Sequence, residues 1–173
     1  VEEDKLFATL DPTTRKLELP NGQVMLLSDT VGFIRKLPHD LVEAFKATLE
    51  EAELANLLVH VVDANHVNAP EHRTATEAVL AELGVLGKPT ILVLNKADLV
   101  DEAGRARMTH LREGYEHSVV TSTATREGLD ELAAMLAEMA GHDLQRVRLR
   151  IPPNRGDILS LLHREGRVET QEF

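Results

Sequence analysis

The segment Asn95-Lys96-Ala97-Asp98 has the residue types and spacing of a ligand-binding loop. It follows the apolar residues 90–94, a predicted buried strand, and ligands bind at the carboxyl ends of strands in parallel sheets. The Asp98 carboxylate could accept two hydrogen bonds there, from N1–H and the exocyclic amine of guanine, which adenine cannot offer. Asn95 would tie neighbouring loops together and reach the purine, and the Lys96 stem would cover the face of the ring. The alternative interpretation is a polar turn between a strand and a helix.

A second segment, Asp29-Thr30-Val31-Gly32, also comes directly after a predicted strand, residues 24–28. The Asp29 carboxylate suits a water-mediated contact to Mg²⁺, and Gly32 lets its backbone N–H approach a γ-phosphate. An N-cap and turn before a helix explains the segment equally well on its own. The order of the motifs along the chain is needed to decide between the two.

Two hydroxyl-rich loops complete the set of candidate residues. The upstream loop precedes the first predicted strand, and its candidate nucleotide-binding residues are Phe7, Ala8, Thr9, Leu10 and Asp11. Thr9 is the candidate that closes over Mg²⁺ and the γ-phosphate, whereas Thr13 and Thr14 are interpreted as ordinary turn residues. Downstream, Ser122-Thr123-Ala124 follows the predicted strand 118–121 and could present backbone N–H groups to the guanine carbonyl.

An alternation of strands and helices must position these loops. Asn21-Gly22 predicts a tight hairpin between strands 16–19 and 24–28. Apolar runs predict two strands covered on both faces, 57–62 and 90–94, and helical spacing predicts helices that end near 52–55 or span 70–83, 101–112 and 128–140. Such alternation predicts an α/β fold with a mostly parallel sheet, helices on both faces and an antiparallel edge hairpin. A strand at 146–151 and a helix at 157–164 are predicted to belong to another unit.

The order of the four loops is that of a G domain: a loop that closes over the nucleotide, Asp-x-x-Gly, Asn-Lys-x-Asp, and a Ser-Ala-Lys-like loop. The sequence resembles the HflX family of ribosome-associated GTPases through residues 6–15, 29–34 and 37–45. The resemblance implies a P-loop-NTPase-type G domain that binds GTP, GDP and Mg²⁺, with Thr9 and Asp29 as the metal-binding residues and Thr9, Asp29 and Gly32 in catalysis.

The resemblance also implies a partner. HflX proteins bind the large (50S) ribosomal subunit and are implicated in splitting stalled ribosomes. A monomer is expected, and a cytoplasmic location is expected because the sequence shows no spanning or signal-like segment. Contacts with rRNA are expected from regions outside residues 1–173. The alternative is a non-catalytic interaction module on a degenerate G-domain scaffold. An ATP-using nucleotidyl enzyme is disfavoured because Asp98 selects guanine.

The chain departs from the G-domain pattern at three positions. No Gly-x-x-x-x-Gly-Lys-Ser/Thr occurs in the 173 residues, so we expect the phosphate-binding loop and first strand to precede residue 1. We therefore expect residues 1–141 to be a partial G domain that binds GTP weakly alone, and residues 142–173 to begin a C-terminal α/β domain. Phe33 stands where many small GTPases have a water-orienting Gln, which predicts slow basal turnover. Thr123 replaces the usual Ala of the last loop.

Composition excludes several other classes of protein. The chain has no cysteine and a formal net charge of −10, which argue against thiolate metal sites and a free-standing nucleic-acid binder. The charge is uneven: residues 1–141 carry 13 basic and 24 acidic side chains, whereas residues 142–173 carry 6 and 5. No apolar run approaches the roughly 18 residues of a spanning helix, so no membrane span is expected.

Overall fold

The computed structural model describes residues 13–30, 51–141, 147–166, 168 and 170–172. The chain divides into two compact units, residues 1–142 and residues 143–173. The assignment of these units to a partial G domain and the start of a second domain stays a prediction.

The first described element is an antiparallel hairpin. Strand β1 (Thr13–Glu18) pairs with β2 (Val24–Asp29), with Thr13 opposite Asp29 and Glu18 opposite Val24. Gly22 has a φ of +79°, as the turn predicted from Asn21-Gly22 requires. Strand β1 begins at Thr13, earlier than the predicted strand 16–19. The interpretation of Thr13 and Thr14 as turn residues is therefore wrong. The Thr14 hydroxyl lies 2.8 Å from the Ser28 hydroxyl across the two strands, an interaction that favours the longer pairing.

A parallel sheet forms the centre of the first unit. Its strands are β3 (Leu58–Asp63), β4 (Thr90–Asn95) and β5 (His117–Val120), in the order β3-β4-β5. Its helices are α1 (Ala69–Glu82), α2 (Glu102–Arg112) and α3 (Leu129–Gly141). The predicted α/β architecture is confirmed. No helix in the described ranges combines the length and apolar character that crossing a membrane requires.

Helices cover both faces of the sheet. Successive side chains of β4 point to opposite faces, so they contribute to two different core clusters. Ile91 and Val93 belong to a core cluster that also contains Leu19, Val119, Leu136 and Ala137. Leu92 and Leu94 belong to a second cluster that also contains Val62, Ala64, Ala69 and Leu111. The first cluster is therefore covered by α3 and the hairpin, and the second by α1 and α2.

Strands β3 and β4 differ more than their similar apolar runs suggest. The four residues from Ile91 to Leu94 are all buried, but Val61 is 59% exposed. Among the described strands β4 is central, whereas β3 has only β4 as a neighbour. The prediction that both strands are covered on both faces holds for β4 and is wrong for Val61. An apolar run indicates a strand with two apolar faces, but whether each face is buried depends on elements distant in sequence.

Side chains satisfy the ends of two helices. The Asp101 carboxylate accepts a hydrogen bond from the Gly104 N–H at 2.7 Å and caps the start of α2. The Lys88 ammonium donates to the carbonyls of Glu53 and Ala55, the latter at 2.6 Å, at the end of the helical residues 51–54. Terminal carbonyls of a helix lack intrahelical partners, so Lys88 stabilises this end.

A partly buried polar network joins β3, α1 and the segment after α2. The His60 Nδ1 lies 2.7 Å from the Tyr115 hydroxyl. Arg73 pairs with Glu77 at 2.7 Å and donates to the carbonyls of Leu111 and Glu113 at 2.8 and 2.7 Å. Burial lowers the pKa of His60 to about 4 and raises the pKa of Tyr115 to about 12.

The free energy of unfolding should therefore fall in mild acid. In the unfolded chain His60 has an ordinary pKa near 6.5, so only the unfolded state takes up a proton as the pH drops from 6.5 towards 4. The stability is fully present above about pH 6.5, and about 2 kcal/mol should be lost by about pH 5. Urea unfolding at about pH 7.5 and pH 5 measures the loss.

The variant His60→Gln isolates this contribution, because it keeps hydrogen-bonding groups but does not titrate. All other titratable groups are common to both proteins, so their contributions cancel in the comparison. The wild-type protein should lose about 2 kcal/mol more than the variant over this interval. Equal losses would show that His60 does not cause the pH dependence.

The second unit contains one helix, α4 (Gly156–Glu165), among its described residues. Residues 147–152 form no strand, so the strand predicted at 146–151 is wrong over its described part; residue 146 lies outside the described residues. A strand needs a neighbour for its N–H and C=O groups, and the described part of this unit contains no second strand. Before α4, Arg155 donates two hydrogen bonds to Asp157 at 2.8 and 2.7 Å. These contacts lower the pKa of the Asp157 carboxyl.

Candidate functional site

The Asn95–Asp98 segment lies at the carboxyl end of the central strand. Asn95 is the last residue of β4 rather than the first residue after it. Lys96 adopts the left-handed conformation, with φ 63° and ψ 35°, and a 3₁₀ turn follows from Ala97 to Leu99. The backbone therefore changes direction at Lys96, and the Asp98 side chain is exposed beyond the sheet. The sequence predicts that a base binds at this end of β4.

Asn95 ties two loops together. Its side-chain oxygen accepts hydrogen bonds from the Thr121 hydroxyl and the Thr123 N–H, both at 3.3 Å. The Ala97 N–H donates to the Thr121 carbonyl at 3.1 Å. The structure thus brings the predicted base-binding segment against the Ser122–Ala124 loop. The direct contact of Asn95 with a purine stays a prediction.

Three hydrogen bonds hold the Ser122–Ala124 loop. Ser122 is buried, its N–H donates to the Glu127 carbonyl at 3.0 Å, and its hydroxyl accepts from the Thr125 N–H at 3.1 Å. The Thr123 N–H is directed to Asn95, while the side chains of Thr123 and Ala124 are exposed. The N–H groups of Ser122 and Thr123 are therefore used inside the protein. The Ala124 N–H becomes the candidate for contact with a guanine carbonyl.

Asp63 contacts the predicted base-binding segment, although it belongs to none of the sequence motifs. The Lys96 ammonium lies 3.1 Å from Oδ2 of Asp63, the last residue of β3. The two strands pair Asp63 with Asn95 in register. One sequence signal could have found it: like Asn95, Asp63 is a polar residue that ends an apolar strand, and neighbouring parallel strands end at the same edge of the sheet.

Asp29 is the described residue of the predicted metal site. It ends β2 and is exposed, and Thr30 follows it. A carboxylate is a donor that Mg²⁺ accepts, so Asp29 fits the predicted role chemically. The described residues contain no cluster of three or more His, Cys, Asp or Glu that could hold a metal ion. The remaining predicted residues lie outside the described residues: Phe7, Ala8, Thr9, Leu10, Asp11, Val31 and Gly32.

The arrangement at the carboxyl edge suits a purine better than a metal ion or a nucleophilic reaction. It combines exposed Asp98 with the long aliphatic stem of Lys96 and a loop in which Ala124 is exposed. A carboxylate can pair with adjacent N–H donors, and the stem can pack against a flat ring. A separate shallow groove of about 230 Å³ lies between α1 and α2 and shares no residue with this edge.

Comparisons with known proteins identify the family of the chain. Residues 1–96 match the family model described as 50S ribosome-binding GTPase. The chain is 49% identical over 172 residues to GTPase HflX of Akkermansia muciniphila, covering 98% of this chain and 39% of that protein. It is 42% identical over 171 residues to GTPase HflX of Caldanaerobacter subterraneus subsp. tengcongensis, covering 99% and 38%. The chain thus spans less than half the length of these curated relatives.

A solved structure shows the same architecture with a nucleotide bound. The crystal structure of the SsGBP and GDP complex matches with a TM-score of 0.62 and 28% identity over 75% of this chain and 42% of that chain. The resemblance to HflX GTPases and the G-domain fold predicted from the sequence are confirmed by these matches.

Proposed function

The chain belongs to the family of 50S ribosome-binding GTPases, and on this premise we propose that the protein binds and hydrolyses GTP in association with the large ribosomal subunit. The observation that carries the proposal is the arrangement of Asn95, Lys96 and Asp98 at the end of a buried strand, tied to the Thr121–Ala124 loop. This arrangement places an exposed carboxylate where a parallel sheet binds ligands.

Asp98 selects guanine in this proposal. Its carboxylate accepts hydrogen bonds from N1–H and the exocyclic amine, while the Lys96 stem covers the ring and the Ala124 N–H meets the carbonyl. The pairing rejects adenine, since that base offers no equivalent pair of donors. Asn95 keeps the two loops together through its bonds to Thr121 and Thr123, both 3.3 Å long.

Asp29, Thr9 and Gly32 act at the phosphates in this proposal. Asp29 and Thr9 would hold Mg²⁺, and the ion would supply positive charge that neutralises the phosphates. The exposed carboxylate of Asp29 at the end of β2 supports its role. Phe33 cannot orient a water molecule by hydrogen bonding, so hydrolysis needs another group for that purpose. A group supplied by the ribosome would make basal turnover slow and ribosome-dependent.

The partner in this proposal is the 50S subunit, and the cellular role is the splitting or rescue of stalled ribosomes in the cytoplasm. The family description and the similarity to HflX GTPases support the partner. The net charge of −10 makes the 173 residues themselves poor at binding a phosphate backbone. Contacts with rRNA are therefore assigned to regions outside these 173 residues. The protein acts as a monomer in this proposal.

Binding and hydrolysis by the full-length protein test the proposal. Calorimetric titration should show GTP and GDP bound at least about 100-fold more tightly than ATP. Phosphate release from GTP should be slow for the protein alone and faster with 50S subunits. Equal affinity for GTP and ATP would contradict base recognition. Selective GTP binding without phosphate release, even with 50S subunits, would favour the non-catalytic module.

A further inference from the structure

We infer that Asp63 is a positioning residue for the nucleotide base, because its carboxylate holds the Lys96 ammonium and thereby lays the lysine stem along the carboxyl edge of the sheet. The inference rests on the proposed function, since it concerns the same guanine site. It adds to that site a residue from β3, outside both base-binding segments.

The ion pair crosses from one strand to the next. Lys96 follows Asn95, and Asn95 lies opposite Asp63 in the β3–β4 register. The Lys96 side chain therefore reaches sideways, from the residue after β4 to Oδ2 of Asp63 at the end of β3, at 3.1 Å. Its four-carbon stem spans the edge where a base would lie, and only its charged end is at β3.

The Asp63 carboxylate is itself held in one orientation. Its Oδ1 accepts a hydrogen bond from the Asn65 N–H at 3.0 Å, which leaves Oδ2 for the lysine. The N–H of Ala64, the residue directly after Asp63, donates to the Asn95 carbonyl at 2.9 Å. The end of β3 is thus fixed to the end of β4, so the distance between Asp63 and the backbone of Lys96 is set by the sheet.

Lys96 is restrained at both ends. Its backbone adopts the left-handed conformation, and the following N–H, that of Ala97, is bonded to the Thr121 carbonyl at 3.1 Å. Asp63 restrains the ammonium. A free lysine side chain would lose conformational entropy when it packs on a ring, and a restrained one loses less. The ion pair therefore prepares the stem for the base before the nucleotide arrives.

Nucleotide titrations of the full-length protein test this role. Asp63→Asn keeps the Oδ1 acceptor for Asn65 but removes the charge that attracts Lys96. GDP affinity should fall about three- to fivefold, as expected for a partly exposed ion pair. Asp63→Glu restores the charge and should recover most of the affinity. The loss should shrink at about 1 M salt, where the pair is screened.

A double-mutant cycle separates positioning from a general structural effect. Lys96→Met keeps the stem and removes the ammonium, so adding Asp63→Asn to it should cause no further loss of GDP affinity. Asp130→Asn, at an exposed position in the first turn of α3, is the matched control and should bind GDP normally. Circular dichroism checks that each variant is folded.

Three outcomes distinguish the possibilities. Unchanged GDP affinity in Asp63→Asn, with a large loss in Asp98→Asn, overturns the role of Asp63 and leaves the proposed function standing. If Asp63→Asn causes an equal loss in the wild-type protein and in the Lys96→Met variant, the role is also overturned, because Asp63 would then act without the ammonium. Unchanged affinity in both Asp63→Asn and Asp98→Asn overturns the proposed guanine site itself.

Discussion

Replacing Asp98 with Asn is expected to weaken GTP binding by the full-length protein about 30- to 1,000-fold and to shift its preference towards xanthosine triphosphate. Guanine presents N1–H and an amine to the carboxylate. Xanthine has a carbonyl in place of the amine, and the Asn amide can donate to it. The loss of a charge-assisted pair should cost about 2–4 kcal/mol. Competition binding with the two triphosphates measures both effects.

Asp130→Asn supplies the control for this substitution, since it makes the same chemical change at an exposed position on α3. It should leave the affinities for both nucleotides unchanged. If Asp98→Asn bound GTP as tightly as the wild-type protein, with no gain for the xanthine nucleotide, Asp98 would be a turn residue. The proposed guanine specificity would then be wrong.

Gly128→Ala is expected to lower the free energy of unfolding by about 3 kcal/mol or more. Gly128 has a φ of +72°, and a Cβ atom there would lie 2.0 Å from the Val120 carbonyl oxygen and 3.3 Å from the Thr121 Cα. Both neighbours are backbone atoms, so the end of β5 or the loop must move. Urea unfolding measures the loss, and GDP titration shows whether the displaced Thr121–Ala124 loop also weakens binding.

Gly22→Ala is a matched control because it changes the same residue type at a similar backbone conformation. Gly22 has a φ of +79°, but a Cβ atom there would meet nothing within 4 Å. It should cost only the left-handed conformation, about 1–2 kcal/mol. The effect of alanine on the unfolded chain is the same in both variants and cancels in the comparison. Similar losses at the two positions would show that contact with the Val120 carbonyl does not matter.

The local patterns of the sequence were sufficient for the fold class. Asn21-Gly22 predicted the hairpin, because its turn needs a residue that tolerates positive φ. The apolar run of β4 predicted a strand buried on both faces, and Asp101 precedes a helix that it caps. The same apolar run also placed Asn95 and Asp98 at the end of a strand. Each of these properties depends on residues within a few positions of one another.

The tertiary structure decided which of these residues act together. Asp63 meets Lys96, Ser122 directs its N–H to Glu127 instead of towards a ligand, and His60 is buried beside Tyr115. Val61 is exposed within a run that resembles its buried counterpart in β4. Residue type and spacing establish which groups the chain offers. Burial and cross-strand pairing bring together groups from distant segments, and these contacts determine which donors, acceptors and charges remain available for a nucleotide.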